Sequence, residues 1–216
     1  MEPPAHARQV TVAPERLARW VAGFTERHGE TATDIGSDVV GLTGADGDRA
    51  WVHVPWPPLT PLTLDALVEH AARARRLGVL LVRRGGYAVG VFDGVELRAS
   101  KVGSRYVQGT TKAGGWSQQR YARRRDNQAA AAFADAANTA VLILTEQNAL
   151  LSDSERGLEA LVAGGDRDAV ATVLADRRLT ALPKPSGPWL EVKDPKLVVL
   201  RATPAQFRAV RISLVP

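Results

Sequence analysis

Apolar positions recur at three- and four-residue steps after Pro14: Leu17, Trp20, Val21 and Phe24 predict a helix with one apolar face, ended by Gly29. Two strands are predicted next, Asp38–Leu42 and Ala50–Val54, joined by the turn-rich stretch from Thr43 to Asp48. Pro55, Pro57 and Pro58 stop any sheet. Thr63 reads as the N-cap of a helix running through Arg76, with Leu64, Leu67, Val68, Ala71 and Ala72 on one side. Three strands follow, Val79–Val82, Tyr87–Phe92 and Val95–Ser100, with hairpin turns at Gly85-Gly86 and Asp93-Gly94. A fourth, around Arg105–Gln108, leads into a glycine loop, so that a meandering sheet delivers the loop.

A long helix is predicted from Ser117, since Tyr121, Ala129, Phe133, Ala136, Ala140 and Leu144 repeat at near-helical spacing as far as about Gln147. Ser152 and Glu155 read as a capping box for a further helix. Leu158–Ala163, running into Gly164-Gly165-Asp166, reads equally as a buried strand; periodicity leaves both open, and a strand followed by a helix from Asp166 to Asp176 is preferred. Lys196–Arg201 and Phe207–Leu214 are two more sheet candidates. Residues 1–13 read as a loose lead-in and 14–216 as one domain. The mixture predicts an α+β (mixed α/β) fold, a central mixed sheet with flanking helices.

Composition narrows the chemistry. The chain has no cysteine, so disulfides, thiolate zinc sites and cysteine nucleophiles are excluded. It has no apolar run of membrane-spanning length and no secretory-type apolar segment near its start, which gives the expectation of a cytoplasmic protein. Metal catalysis would need clustered carboxylates, and Asp166 with Asp168 is too sparse for that; neither a metal nor a cofactor is expected.

Charge changes the picture most. Lys101, Arg105, Lys112, Arg120, Arg123, Arg124 and Arg125 fall within 101–128 with one acid, Asp126, so this stretch carries +6 and the rest of the chain −1. The four arginines from Arg120 to Arg125 fall in the first turns of the predicted helix, where the macrodipole is already positive. Each such charge costs about 0.3–1 kcal/mol when exposed. Phosphate oxygens would relieve that cost, because free helix N–H groups and guanidinium forks converge on them. The bland alternative is a solvated arginine face. Ahead of these arginines, Gly114 and Gly115 let backbone approach a partner closely. Trp116 can stack on a base, or simply anchor a surface turn. Ser117 can cap the helix. Gln118 and Gln119 are too weak as bases to abstract a proton, but their amides can orient a water and donate to a developing oxyanion. Of the histidines, His53 alternates with Trp51 in a strand and reads as structural; a Ser-His-Asp arrangement through Ser117 has no evident histidine partner.

The spelling GGWSQQRYARRR resembles the GGQSxxRFxRxR segment of archaeal and eukaryotic class-1 peptide-chain release factors, with Gly114, Gly115, Ser117, Arg120, Tyr121, Arg123 and Arg125 matching in kind. The position of their glutamine holds Trp116. GGxSQ before an Arg-rich helix is closer to the Vms-one-like release factors, especially their actinobacterial branch. That resemblance implies a fold like the release-factor middle domain, whose protruding glycine-rich loop leads into a long basic helix. It also implies peptidyl-tRNA hydrolysis on stalled large ribosomal subunits, as part of ribosome quality control. Gln118 would be the working amide and Gln119 the second choice, with Gly114, Gly115 and Ser117 shaping the loop. Arg105, Lys112, Trp116, Arg120, Arg123, Arg124 and Arg125 would hold RNA, the partners being large-subunit rRNA and peptidyl-tRNA and not a membrane. Cleavage of the tRNA near its 3′ end is the alternative reaction, and a non-catalytic RNA-binding factor the alternative role. Nothing in the chain is similar to the stop-codon-reading regions of the larger relatives.

Overall fold

A computed structural model describes residues 2–104, 128, 130–151 and 157–216. Its contacts gather into two compact units, Met1–Arg73 with Pro204–Pro216, and Ala74–Thr203, each with its own apolar core.

In the first unit the chain forms β1 (Arg8–Val12), α1 (Leu17–His28), β2 (Ala32–Ile35), β3 (Val39–Thr43), β4 (Arg49–His53) and α2 (Leu64–Ala72); from its far end come a short helix, Pro204–Phe207, and β9 (Val210–Val215). The strands make an antiparallel sheet in the order β1-β9-β4-β3-β2. Leu17 and Phe24 of α1 and Leu67 and Ala71 of α2 share a core with Val40, Val52 and Ile212 of the sheet. The helical spacing of those residues is what the sequence displayed. Thr63 caps α2 by accepting from the Ala66 N–H at 3.1 Å. The helix ends at Ala72, short of the predicted Arg76, because Arg73 is extended and Arg76 already belongs to β5.

The lead-in 1–13 is not wholly loose: it contains β1, whose Val10 pairs with Ile212. Its partner lies some 200 residues away, and five residues of mixed polarity do not announce a strand alone. The edge strand β2 escaped prediction for the same reason, since three of its four residues are exposed.

The second unit carries the functional stretch. Here β5 (Arg76–Arg83), β6 (Gly86–Asp93) and β7 (Glu96–Ser104) form the predicted meander, and β8 (Ala160–Gly165) lies parallel to β5 on its other side, giving the order β7-β6-β5-β8. The predicted fourth strand around Arg105–Gln108 lies outside the described residues. The predicted long helix is described from 130: a regular part, α3 (130–140), widens into a π-helix, Val141–Gln147, and closes as α4 (Asn148–Leu150). Its start at Ser117 and the capping box at Ser152 also lie outside the described residues. After β8, α5 (Arg167–Leu174) begins at Asp166, whose carboxylate accepts from the N–H groups of Asp168 and Ala169 at 3.0 and 3.2 Å. The strand-then-helix reading of 158–176 is the one observed.

Both faces of this sheet are buried. On one, Leu80, Val82, Val89 and Val91 pack with Ala136, Ala140, Ile143 and Leu144 of the α3 helix and with Ala169, Val170 and Val173 of α5. The strand residues between them point to the opposite face, where Leu200 packs over Gly90 and Leu190 over Gly164. Each fully buried leucine or valine contributes about 1.5–3 kcal/mol by leaving water. Gly78 and Gly90 are places where helix approaches sheet: a Cβ on Gly78 would lie 3.1 Å from Leu144, and one on Gly90 3.1 Å from Leu200. Leu200 belongs to α6 (Leu197–Ala202), which corrects the predicted strand over Lys196–Arg201. Its Leu-Val-Val-Leu composition favours a strand, but burial decides otherwise: Leu200 is buried while Val198 faces solvent. The short helix Pro204–Phe207 (α7) follows it, and of the predicted strand over Phe207–Leu214, Val210–Val215 forms.

Candidate functional site

The sequence-predicted loop and RNA-binding residues, Arg105, Lys112, Gly114, Gly115, Trp116, Ser117, Gln118, Gln119, Arg120, Arg123, Arg124 and Arg125, all lie in 105–127, outside the described residues. What the structure describes is the root from which that stretch departs and to which it returns. Departure is at the end of β7. Gly86 pairs with Ser104 and Tyr87 with Gly103, so the last residues of β7 are still held in register against β6. Return is at residue 128, shortly before α3.

One side chain ties departure to return. Tyr87 of β6 lies over Gly103, so close that a Cβ there would sit 2.4 Å from the ring's Cζ and hydroxyl. Only glycine fits beneath it. The same hydroxyl accepts a hydrogen bond from Thr139 of α3 at 3.1 Å, and Thr139 is itself buried. Exit strand, neighbouring strand and return helix are thus fixed to one another around a single phenol. Further along the helix, Leu144 packs beside Gly78 in the π-helical turn, where Thr145 bonds the Val141 carbonyl. Such wide turns re-aim the side chains that follow them.

Side chains missed by the sequence reading gather at this end of the sheet. Arg83 and Arg84 form the exposed tip of the β5–β6 hairpin. Lys101, which the sequence reading already counted in the basic stretch, is exposed on β7 and is the one of that stretch's seven bases among the described residues. Arg167, the first residue of α5, stacks on Trp189 with its guanidinium carbon 4.3 Å from the ring centroid, and the Trp189 indole donates to the Gly165 carbonyl at 3.2 Å. A groove of about 730 Å³ runs between α3 and α5, lined by small residues such as Ala130, Ala134 and Ala137 and bordered by Arg84, Asp166 and Asp168. Asp166 caps α5 with its carboxylate.

Three of the four histidines have structural employment. Nε2 of His53 lies 2.8 Å from the Ser213 hydroxyl, which also accepts from the Gln9 amide at 2.7 Å. Ser213 is fully buried. Loss of hydration, with the Arg211 guanidinium adding to it, holds the His53 imidazole below its ordinary range, so it stands neutral at pH 7. His70 bonds the Pro55 carbonyl at 2.8 Å, and His28 closes on Asp46 at 2.8 Å, which draws the Asp46 carboxyl down. Each of these pairs lies within the first unit.

The family model of the Actinobacteria/chloroflexi VLRF1 release factor matches residues 75–213. The chain belongs to that family. The match opens one residue after the start of the second unit and covers all of the sheet, the stretch 105–127 and α3 to α6. A translation-related role follows from membership. No curated protein matches the chain. Among the described residues, no helix is long and apolar enough to cross a membrane.

Proposed function

We propose that this protein is a peptidyl-tRNA hydrolase that frees nascent chains from stalled large ribosomal subunits in the cytoplasm. The family match across 75–213 carries the reading, because it encloses the one stretch in which the chain concentrates its positive charge, glycines and glutamines. Arg105, Lys112, Arg120, Arg123, Arg124 and Arg125 contact rRNA and the tRNA acceptor end through phosphates, and Trp116 supplies a stacking surface. Gly114 and Gly115 let the backbone approach the ester between peptide and terminal adenosine. Ser117 caps the basic helix. Gln118, with Gln119 behind it, positions a water and steadies the oxyanion that forms as the water adds to the ester carbonyl. Proton transfer falls to the RNA surroundings, since an amide is no base.

The architecture supports this division of labour. Catalysis by positioning requires a loop whose roots do not wander, and the contacts of Tyr87 with Gly103 and Thr139 support this by joining the end of β7 to the helix that follows the stretch. The test is single-turnover release from purified large subunits that carry peptidyl-tRNA. Gln118→Ala should abolish release while subunit binding persists. Unchanged release by both Gln118→Ala and Gln119→Ala would sink the mechanism and favour a non-catalytic ribosome-associated factor. Gel analysis of the released tRNA distinguishes ester hydrolysis, which leaves the 3′ end intact, from cleavage near that end.

A further inference from the structure

The two hairpin tips of the second sheet point to opposite ends of it and are chemically opposite. At the end away from Ser104, the β6–β7 tip is Asp93-Gly94-Val95-Glu96, and its bases are neutralised. Arg76 forms a two-pronged pair with Asp93 at 2.8 and 2.9 Å, and Arg98 meets Glu96 at 3.1 Å. At the end where the chain leaves β7, the β5–β6 tip is Arg83-Arg84-Gly85-Gly86. Neither Arg83 nor Arg84 has a carboxylate within ion-pair distance among the described residues. Arg83 instead donates to the Val192 carbonyl at 3.1 Å, which brings the exposed Lys193 beside the tip. Lys101, on the edge strand β7, pairs with Val89 and so lies on the other face of the sheet from Arg83.

Stability alone does not account for this arrangement. A two-residue hairpin tip is best served by Asn-Gly or Asp-Gly, as the acidic tip shows. Adjacent exposed arginines repel each other and lose side-chain entropy wherever they are ordered. The acids at this end are differently engaged: Asp166 caps α5 and Asp194 holds Lys196 at 2.8 Å. With the Asp194–Lys196 pair set aside, the exposed acids Asp166, Asp168 and Glu191 are set against Arg83, Arg84, Arg167 and Lys193. Positive charge therefore remains in excess. Arg84 and Gly86 are two residues apart, and Gly86 is paired with Ser104, so the tip lies within roughly 12 Å of the point where the basic stretch begins.

We propose that Arg83 and Arg84, with Lys193 beside them, form a second phosphate-contact surface for RNA. This rests on the reading that the chain works on ribosome-bound tRNA, and it adds a fixed contact on the sheet to those carried by 105–127. Guanidinium forks held at a hairpin tip bind phosphate oxygens in pairs without ordering a new segment. Their position at the loop's root would set the angle at which the loop approaches its RNA.

The experiment is a salt titration of binding by the full chain, with purified large subunits in one arm and free tRNA in the other. Arg83→Ala with Arg84→Ala should weaken binding about tenfold near 100 mM salt and flatten the slope of log K against log salt by about 1.5. Lysine at both positions should keep most of the slope. Arg98→Ala, at the neutralised end, should change neither quantity. A loss seen with free tRNA assigns the phosphates to tRNA, and a loss confined to subunits assigns them to rRNA. Wild-type affinity and slope in an alanine double variant that melts normally would overturn the proposal, as would an equal loss in Arg98→Ala. Failure of Gln118→Ala to affect release would count against the hydrolase mechanism and leave this binding result standing, so the two readings fail separately.

Discussion

At one end of the four-stranded sheet Arg76 and Arg98 are held by Asp93 and Glu96; at the other, Arg83 and Arg84 form no ion pair within 4 Å among the described residues, although Asp166 and Asp168 border the same groove as Arg84. Strand, residue type and hairpin architecture are shared, and only the disposition of counter-charge differs. The neutralised end behaves like the first unit, where Glu15 meets Arg208 at 2.7 Å, His28 meets Asp46 and Ser213 serves both Gln9 and His53. In those places polar groups are spent on one another and hold the fold. Where the basic stretch departs, they are left for something else. Local rules of stability broken at one end and kept at the other mark where function acts on the sequence.

The largest effect separating the two ends is chemical. Gln118→Ala should lower release from large subunits by about a hundredfold or more, the usual cost of removing a group that stabilises an oxyanion. Arg98→Ala should leave release as it is. Equal losses from both would erase the distinction between a working end and a structural one.

The second effect runs the other way. Asp93→Ala removes two carboxylate acceptors from a guanidinium whose side chain is 13% exposed, and should cost about 2 kcal/mol, read as a shift in the urea midpoint. Release per folded molecule should not change. If Asp93→Ala spared stability and impaired release, the acidic tip would belong to the functional surface after all.

Much of this division was open to sequence reasoning, and the missing parts have a common cause. The meander β5–β6–β7 was legible because Asp93-Gly94 dictates a tight turn and because the apolar runs on either side have strand length. Thr63 and Asp166 announced the starts of α2 and α5, since a cap is a local interaction. The concentration of charge in 101–128 was plain from counting. By contrast, β1 depends on a partner some 200 residues away, and α6 is helical because Leu200 must meet Gly90, against its own strand-like composition. The counter-charges of Arg76 and Arg98 sit across a hairpin, so the sequence displays every arginine alike and hides which ones are free. Tyr87, Gly103 and Thr139 carry no motif at all; their role exists only in register.

That register gives the third prediction. Gly103→Ala would push a methyl carbon into the Tyr87 ring and should destabilise the protein by about 1–3 kcal/mol, the ordinary cost of overpacking. Because the contact also joins the end of β7 to α3, release should fall more than the loss of folded protein explains. Gly85→Ala, one turn away on the exposed hairpin tip, is the comparison. If both substitutions impair release only in proportion to unfolding, the Tyr87 contact is packing and nothing more.

The smallest effect tests whether the first unit is as self-contained as its hydrogen bonds suggest. Burial and the nearby Arg211 hold the His53 imidazole below its ordinary range in the folded protein. The unfolded chain therefore takes up this proton first as pH falls below about 6.5. The stability associated with neutral His53 is present above that pH and is lost as pH falls through the folded-state value, levelling off once both states are protonated. His53→Gln keeps an acceptor for the Ser213 hydroxyl and removes the titration, so its urea midpoint should change less than wild type between pH 7.5 and 5.5. Asp46, drawn below the usual carboxylate range by His28, titrates at lower pH and leaves that window clear. Release by His53→Gln at pH 7.5 should match wild type, because His53 belongs to the group of side chains that satisfy one another. A pH-dependence of stability identical to wild type would mean that protonated His53 finds room beside Ser213, and that this corner of the first unit is less tightly committed than the neutralised end of the second sheet.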